Sequence, residues 1–384
     1  MEQHQLEYLL SDNGREWFAR LEDHVGEPHS RLLWLRKSLS AEQSAALFEL
    51  ERARASLAGR HNLASSFFLD TSAAAQASSQ LVANWRARRF RNANRVVDLC
   101  CGAGVDTLAL AAVAPVLAVD ENLLRLSFAQ VNAVGEHHDV AFVRGRIPDC
   151  LGQVDYAFCD PDRRRDGKRI FDPHEASPSL DELLTLQVSE GMGVKLSPMA
   201  PLEGLDDYGE LEFVSAAREL KEIVLWTGSL SKGGRRVSQP ATGSEIEGEV
   251  GVKPELAESL GEFLFDPDPG LTRSGLLGDL ARKLGLRALA PDIAYLTGDE
   301  DPKTPFLTAR RIIATSKTSH KALQGLIRTH EIGRLDVSRR GYPQSPEEVR
   351  KRLRLKGSGV GHLHLTRFGT QRMGILTKPA QSAR

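Results

Sequence analysis

Residues 96–104, VVDLCCGAG, place a carboxylate, Asp98, at the end of an apolar run and follow it with Gly102 and Gly104. Glycines so spaced permit a tight turn whose backbone can approach a ligand before the next helix begins. A second acid, Asp120, closes the following apolar run, VLAV, twenty-two residues after Asp98. That is the placement of a side chain that accepts hydrogen bonds from ribose hydroxyls. A dinucleotide fold requires G-x-G-x-x-G, and Thr107 stands where the third glycine belongs, so a nicotinamide-dependent oxidoreductase ranks last. A carboxylate just ahead of the turn suits an ammonium or sulfonium better than a diphosphate, by charge complementarity.

A second group of chemically able residues follows in VDYAFCDPDRRRDGKR, residues 154–169, where Asp160-Pro161 ends an apolar strand. A carboxylate there can orient an acceptor N–H or take its proton. Arg163, Arg164, Arg165, Lys168 and Arg169 crowd beside it, either as phosphate contacts or as a solvated loop partly paired with Asp162 and Asp166. Lys195, in GVKLSP, ends a later strand on the same edge and either faces the substrate or is a structural strand-end residue. The segment Phe67–Asp70 with Gln76 can close over the cofactor. His137-His138 and His362-x-His364 each lack a third ligand at suitable spacing, and Cys100, Cys101, Cys150 and Cys159 make no zinc pattern, so no metal site is expected.

These residues need rigid elements to bring them together. From residue 95, short apolar runs alternate with helical stretches: RVVDLC, VDTLALAA, VLAVD, LLRLSFAQVNAV, AFVRG and VDYAFCD, the pattern of a parallel α/β sheet. After a helix at 180–188, GMGVKLSP and EIVLWTGSL extend the strand series, and the Gly-rich stretch 231–251 is a hairpin loop or the way out of the sheet. Residues 1–90 carry apolar side chains at three- and four-residue spacing without β-branched runs, which predicts helices. Ser40 with Gln43 forms a capping box ahead of AALFELERA, and Asp70-Thr71-Ser72 starts a helix through AAAQASSQLVANW. Trp17, Trp34 and Trp85 in this region are expected to pack its core. Beyond 251, short helices and strands alternate as in a small α+β domain.

With 384 residues, 41% of them hydrophobic and 26% charged, the chain has the composition of a soluble multidomain protein. Its net charge of −1 conceals a segregation: 18 Lys and Arg face 5 Asp and Glu from residue 301 onward, against 32 and 46 in residues 1–300. A tail of +13 joined to a remainder of −14 suggests a basic binding module on an acidic body. The start, MEQHQLEYLLSDNG, resembles no signal peptide, and the longest apolar stretch, 108–119, is short for a bilayer and contains Pro115. A cytoplasmic protein with reduced thiols and no membrane partner is expected.

The Gly-turn segment resembles motif I of the class I S-adenosylmethionine-dependent methyltransferases, E/D-x-G-x-G-x-G, with Cys100 in place of the first glycine. The DLCCGAG form is similar to that of nucleic-acid methyltransferases. Asp160-Pro161 resembles the D/N-P-P-Y/F/W motif of amino-methyltransferases, with Asp162 and Arg163 replacing the second proline and the aromatic. A guanidinium plane can stack on a base in the aromatic's stead. Where many members carry an adenine-binding Asp after the third strand, this sequence reads RGRIPD, with Arg146 there, so that either Asp149 substitutes or backbone and apolar contacts alone hold the adenine. Residues 332–376 resemble the THUMP-like domain that closes a bacterial group of such enzymes, through DVSRRG at 336–341, the PEE-x-x-RKRL helix start and the Leu-Thr-Arg strand. FLFDPDPGLTRSGLLGDLARKLGL and IAYLTGDE match the same group.

The resemblance implies three parts: a helical domain over 1–90, a Rossmann-like class I methyltransferase domain over 91–250 and a basic THUMP-like α+β domain over 251–384. It implies S-adenosylmethionine bound by Asp98, Cys100, Gly102, Gly104 and Asp120, catalysis at Asp160 and Pro161, and substrate contacts from Arg163, Arg164, Lys195 and Arg352. THUMP domains bind RNA, and the helix EEVRKRLRLKG offers Arg350, Lys351, Arg352, Arg354 and Lys356 to a phosphate backbone. The expected activity is methylation of a base nitrogen in tRNA or rRNA. Its alternatives are a non-catalytic RNA-binding protein on this scaffold, or a methyltransferase of protein or small molecules.

Overall fold

The structure is a computed structural model that describes residues 1–379 apart from 135–138, 150–151 and 166–167. His137, His138, Cys150 and Asp166 lie outside the described residues. The chain divides into two compact units, Met1–Glu210 with Ile223–Gly233, and Leu211–Glu222 with Gly234–Arg384.

The first unit opens with six helices: α1 (Gln3–Leu10), α2 (Asp12–Asp23), α3 (Pro28–Leu35), α4 (Ala41–Leu57), α5 (Thr71–Gln76) and α6 (Gln80–Ala87). The capping box at α4 is present: Ser40 Oγ accepts from the Gln43 N–H at 3.1 Å and Gln43 Oε1 from the Ser40 N–H at 3.1 Å. The stretch after Asp70 is two helices where the sequence suggests one. Ser79 caps α6 by accepting from the Val82 N–H, because serine hydroxyls compete with the helix ladder for backbone partners. Trp85 is buried, and Trp17 and Trp34 meet at 5.6 Å between ring centroids.

The alternating region follows as β1 (Val96–Asp98), α7 (Val105–Ala111), β2 (Val116–Asp120), α8 (Leu123–Val134), β3 (Val140–Arg144), β4 (Val154–Cys159), the short hairpin β5 (Arg164–Arg165) and β6 (Lys168–Arg169), α9 (Leu180–Leu184) and β7 (Val188–Leu196). The chain then crosses between the units within β8 (Glu210–Ala216) and β9 (Glu219–Trp226). In the first unit the strands lie in the order β9-β7-β4-β1-β2-β3, all parallel except β9. Val96 aligns with Val116 on one side and Tyr156 on the other, so Asp98, Asp120 and Cys159 finish at one edge. Ligands bind at such carboxyl ends, where the strand order reverses around β1. The helix before β7 stops at Leu184, short of its expected end, because β7 begins at Val188.

Helices α4, α5, α7 and α8 meet in a core of Leu57, Phe67, Leu69, Ala74, Leu108 and Phe128. This packing fixes the chain between α4 and α6 beside the Gly turn.

In the second unit, β10 (Arg235–Gln239) and β11 (Ser244–Glu247) form an antiparallel hairpin in the polar stretch, and β10 runs parallel to β8. Next come β12 (Phe263–Pro267), α10 (Pro269–Ser274), α11 (Leu277–Lys283), β13 (Arg287–Ala290), β14 (Ile293–Gly298), β15 (Leu307–Lys317), α12 (His320–Thr329), β16 (Ile332–Arg339), α13 (Pro346–Arg352), β17 (Gly359–Phe368) and β18 (Gln371–Thr377). A seven-stranded sheet has the order β13-β14-β12-β15-β18-β17-β16. Leu323, Ile327 and Val349 of α12 and α13 pack on Leu335, Leu363 and Leu376. Helix α13 ends at Arg352, and Leu353 turns into the core, so Arg354 and Lys356 lie beyond the helix.

Candidate active site

The Gly turn is built by two left-handed residues, Gly102 at φ +53° and Gly104 at φ +85°. Gly104 caps α7, and a Cβ there would stand 3.0 Å from Ala129 Cα on α8. At Gly102 a Cβ would meet nothing within 4 Å. The turn is therefore close-packed on its helix side and open at Gly102. The Gly102 N–H donates to Asp120 Oδ2 at 2.9 Å, and the Asn122 N–H donates to Asp120 Oδ1 at 2.8 Å. Burial pushes the Asp120 carboxyl up.

Asp98 sits behind this turn with 1% of its surface exposed. Thr107 Oγ1 donates to Asp98 Oδ2 at 2.6 Å. Burial raises its carboxyl to about 7, against the Thr107 hydrogen bond and with help from Asp106, Asp160 and Asp120 nearby. Cys100 is half-buried, and its sulfur lies 3.8 Å from the Cys159 sulfur.

A cavity of 720 Å³ opens at this sheet edge, within the roughly 300–1,000 Å³ usual for cofactor and ligand sites. Its lining includes Cys100, Gly102, Asp106 and Asp120, together with Asp160, Pro161 and Arg163. Gln76 lies on the lining, as do Arg146, Ile147 and Arg164, whereas Asp98 and Lys195 do not. Arg146, Arg164 and Arg169 give the mouth a basic rim of exposed side chains.

Asp160 ends the β4 run, and Lys195 Nζ donates to its Oδ2 at 2.5 Å. Arg163 Nη2 lies 3.9 Å from the other oxygen, while Arg163 Nη1 is buried without a hydrogen-bond partner. Lys195 is buried, with 6% of its surface exposed. Its Nζ also donates to Ser78 Oγ at 3.0 Å. Ser78 Oγ accepts from Arg86 Nη2 at 2.9 Å and donates to Asp106 Oδ2 at 3.2 Å, and Arg86 pairs directly with Asp106. The Asp106 carboxyl is lowered: burial alone would raise it, and Arg86, Lys195 and Ser78 outweigh that effect. Sequence reasoning did not single out Arg86 or Asp106. An arginine inside the apolar QLVANWRA pattern, and an acid in the first turn after a glycine cap, were the available signals.

Residues 307–379 match the family model described as THUMP domain-like. An uncharacterised S-adenosylmethionine-dependent methyltransferase of Mycobacterium tuberculosis (strain H37Rv) is 30% identical over 314 residues, covering 79% of this chain and 85% of its own. The corresponding protein of strain CDC 1551 gives the same values. The chain belongs to the S-adenosylmethionine-dependent methyltransferases. A crystal structure from Porphyromonas gingivalis W83, of a protein assigned as a methyltransferase, shares the fold at a TM-score of 0.75 and 21% identity, over 95% of this chain and 97% of the other.

The methyltransferase's cofactor is S-adenosylmethionine, and the cavity wall fits it: an open glycine cradle with a carboxylate, Asp120, already hydrogen-bonded to it. Among the described residues no group of three or more His, Cys, Asp or Glu could hold a metal ion. Nor is any described helix long and apolar enough to cross a membrane.

In the second unit Arg352 is exposed on α13, and Arg350 Nε is engaged by the Leu335 carbonyl at 3.0 Å. His362 and His364 stack at 4.2 Å, and Ser338 Oγ lies 3.0 Å from His362 Nε2 and 2.9 Å from His364 Nδ1. Burial, with Arg310 nearby, pushes the His362 ring down to about 4.

Proposed function

We propose that this methyltransferase acts on RNA, with tRNA or rRNA as substrate and a base nitrogen as acceptor, in the cytoplasm. The observation that carries the reading is the +13 tail, most of it within the THUMP domain-like residues 307–379. The basic rim at the cavity mouth supports it, since guanidinium groups beside an acceptor site suit a phosphate backbone. In this reading residues 1–90 and 91–250 make up the helical and catalytic parts, and residues 251–384 hold the RNA through exposed groups such as Arg352.

Bound S-adenosylmethionine supplies a methyl group on a sulfonium leaving group. Gly102 and Cys100 present backbone to the cofactor's amino-acid end, Gly104 keeps the turn closed on α8, and Asp120 accepts from the ribose hydroxyls. Asp98 contributes negative charge from behind the turn. Asp160 accepts from the acceptor N–H, aims the nitrogen's lone pair and takes the proton that the nitrogen gives up on methylation, with the Pro161 backbone holding the loop. Positioning of this kind supplies most of the acceleration when the leaving group is already good. Arg163 and Arg164 contact the substrate's base or backbone.

The test compares nucleosides from tRNA and rRNA of wild-type and deletion cells by mass spectrometry. Loss of one methylated nucleoside is expected. Identical profiles, with transfer instead to protein or a small molecule, would overturn the reading.

A further inference from the structure

We propose that Lys195 is a positioning residue for Asp160, anchored through Ser78 to the buried Arg86–Asp106 pair, and that it makes no substrate contact of its own. This rests on the reading of Asp160 as the group that orients the acceptor.

A lysine near the end of β7, within its buried stretch, needs compensation, because a desolvated ammonium without partners is costly. Lys195 has two partners given by the structure, Asp160 at 2.5 Å and Ser78 at 3.0 Å, and it does not reach the cavity lining. The charges alternate: Arg86 with Asp106, Lys195 with Asp160, one hydroxyl between the pairs. Asp106 and Asp160 both line the cavity, while their cations, Arg86 and Lys195, are buried and do not. The Ser78 hydroxyl receives two donors and gives its hydrogen to Asp106. Its capacity is therefore used in full, and it cannot rotate without losing one of these bonds.

For the acceptor site the consequence is directional. Lys195 donates to Oδ2 of Asp160, while Oδ1 has Arg163 Nη2 3.9 Å away, beyond hydrogen-bond distance. One oxygen is thus committed to the network and the other is left for an N–H. Without Lys195, the carboxylate keeps only the distant Arg163 and is free to rotate toward it.

Two readouts test the proposal. The first is a crystal structure of Lys195→Met with bound S-adenosylhomocysteine, which needs no RNA. The expected result is an Asp160 carboxylate displaced from its wild-type position with the fold unchanged. A carboxylate that stays in place overturns the proposal whatever the substrate. The second is methyl transfer to RNA from deletion cells. Lys195→Met should lose on the order of 100-fold in kcat, with KM for cofactor and RNA nearly unchanged. Lys195→Ala should regain activity with added ethylammonium, which restores the cation. Equal losses in cofactor affinity and kcat, or no amine rescue, would show a merely structural lysine. Should Lys195→Met fail to fold, Ser78→Ala gives the same comparison with a smaller expected loss. Wild-type enzyme that labels no RNA contradicts the RNA reading alone, since the crystallographic readout still stands.

Discussion

Thr107 and Asp98 share a buried hydrogen bond, Oγ1 to Oδ2 at 2.6 Å. Thr107 is the residue that breaks the dinucleotide fingerprint, and the structure gives it a positive role. Where a third glycine would only allow close packing, the hydroxyl holds the acid behind the cofactor turn.

That acid makes cofactor binding depend on pH. The Asp98 carboxyl is raised to about 7 by burial, well above the ordinary value of about 3.9 for an exposed aspartate. In the unliganded protein the folded state therefore holds this proton more tightly than the unfolded chain. Its contribution to stability is present at low pH and declines as pH rises from about 4 to about 7. A bound ammonium favours the ionised form, so binding releases a proton and tightens as pH rises. Calorimetry with S-adenosylhomocysteine should give affinity about tenfold higher at pH 8 than at pH 6. Asp98→Asn should remove the dependence, and Thr107→Val should move its midpoint upward, because the hydrogen bond favours the carboxylate.

The two glycines of the turn should fail differently. Gly102→Ala adds a methyl group at a residue lining the cavity, in a left-handed conformation that costs about 1–2 kcal/mol for other residues. Cofactor affinity should fall with a modest loss of stability. Gly104→Ala carries the same conformational cost plus a 3.0 Å collision with Ala129 on α8. Urea unfolding should therefore show the larger destabilisation at Gly104.

Arg86 should be a stability residue that no surface assay reveals. Arg86→Met leaves Asp106 without its buried partner, and breaking such a pair costs about 3–5 kcal/mol. The double variant Arg86→Met/Asp106→Leu removes both charges and should recover part of the loss in chemical denaturation. A double variant less stable than the single would contradict the pairing.

The basic groups proposed to hold RNA should act through salt. Removing one phosphate contact, at Arg164 or Arg352, should weaken binding evenly across RNA sequences. It should also reduce the slope of log K against log salt by about 0.7–0.9, read by filter binding over a salt series.

The parallel strands and the Gly turn were legible because apolar runs ending in Asp98, Asp120 and Asp160 leave a strong pattern. Strand β8 was not: Glu210 and Glu212 interrupt its apolar run although both are buried, satisfied by Arg89 and by Ser238 Oγ at 2.6 Å. Paired buried charge looks like surface in a sequence. The break between α5 and α6 was hidden for a related reason, since Ser78 and Ser79 read as tolerable helix residues until their hydroxyls find partners. Lys195 was visible as a strand-end lysine, but its direction toward Asp160 depends on the β4–β7 register, which pairs Cys159 with Val194. The basic tail announced itself by charge alone, while the length of α13 was set by Leu353 entering the core.

The most direct test of the central claim is transfer of a labelled methyl group from S-adenosylmethionine to total RNA by the purified protein. RNA from deletion cells should accept label and RNA from wild-type cells should not, its sites being already filled, and Asp160→Ala should abolish transfer. Equal labelling of the two RNA pools, no labelling of either, or full activity in Asp160→Ala would contradict it.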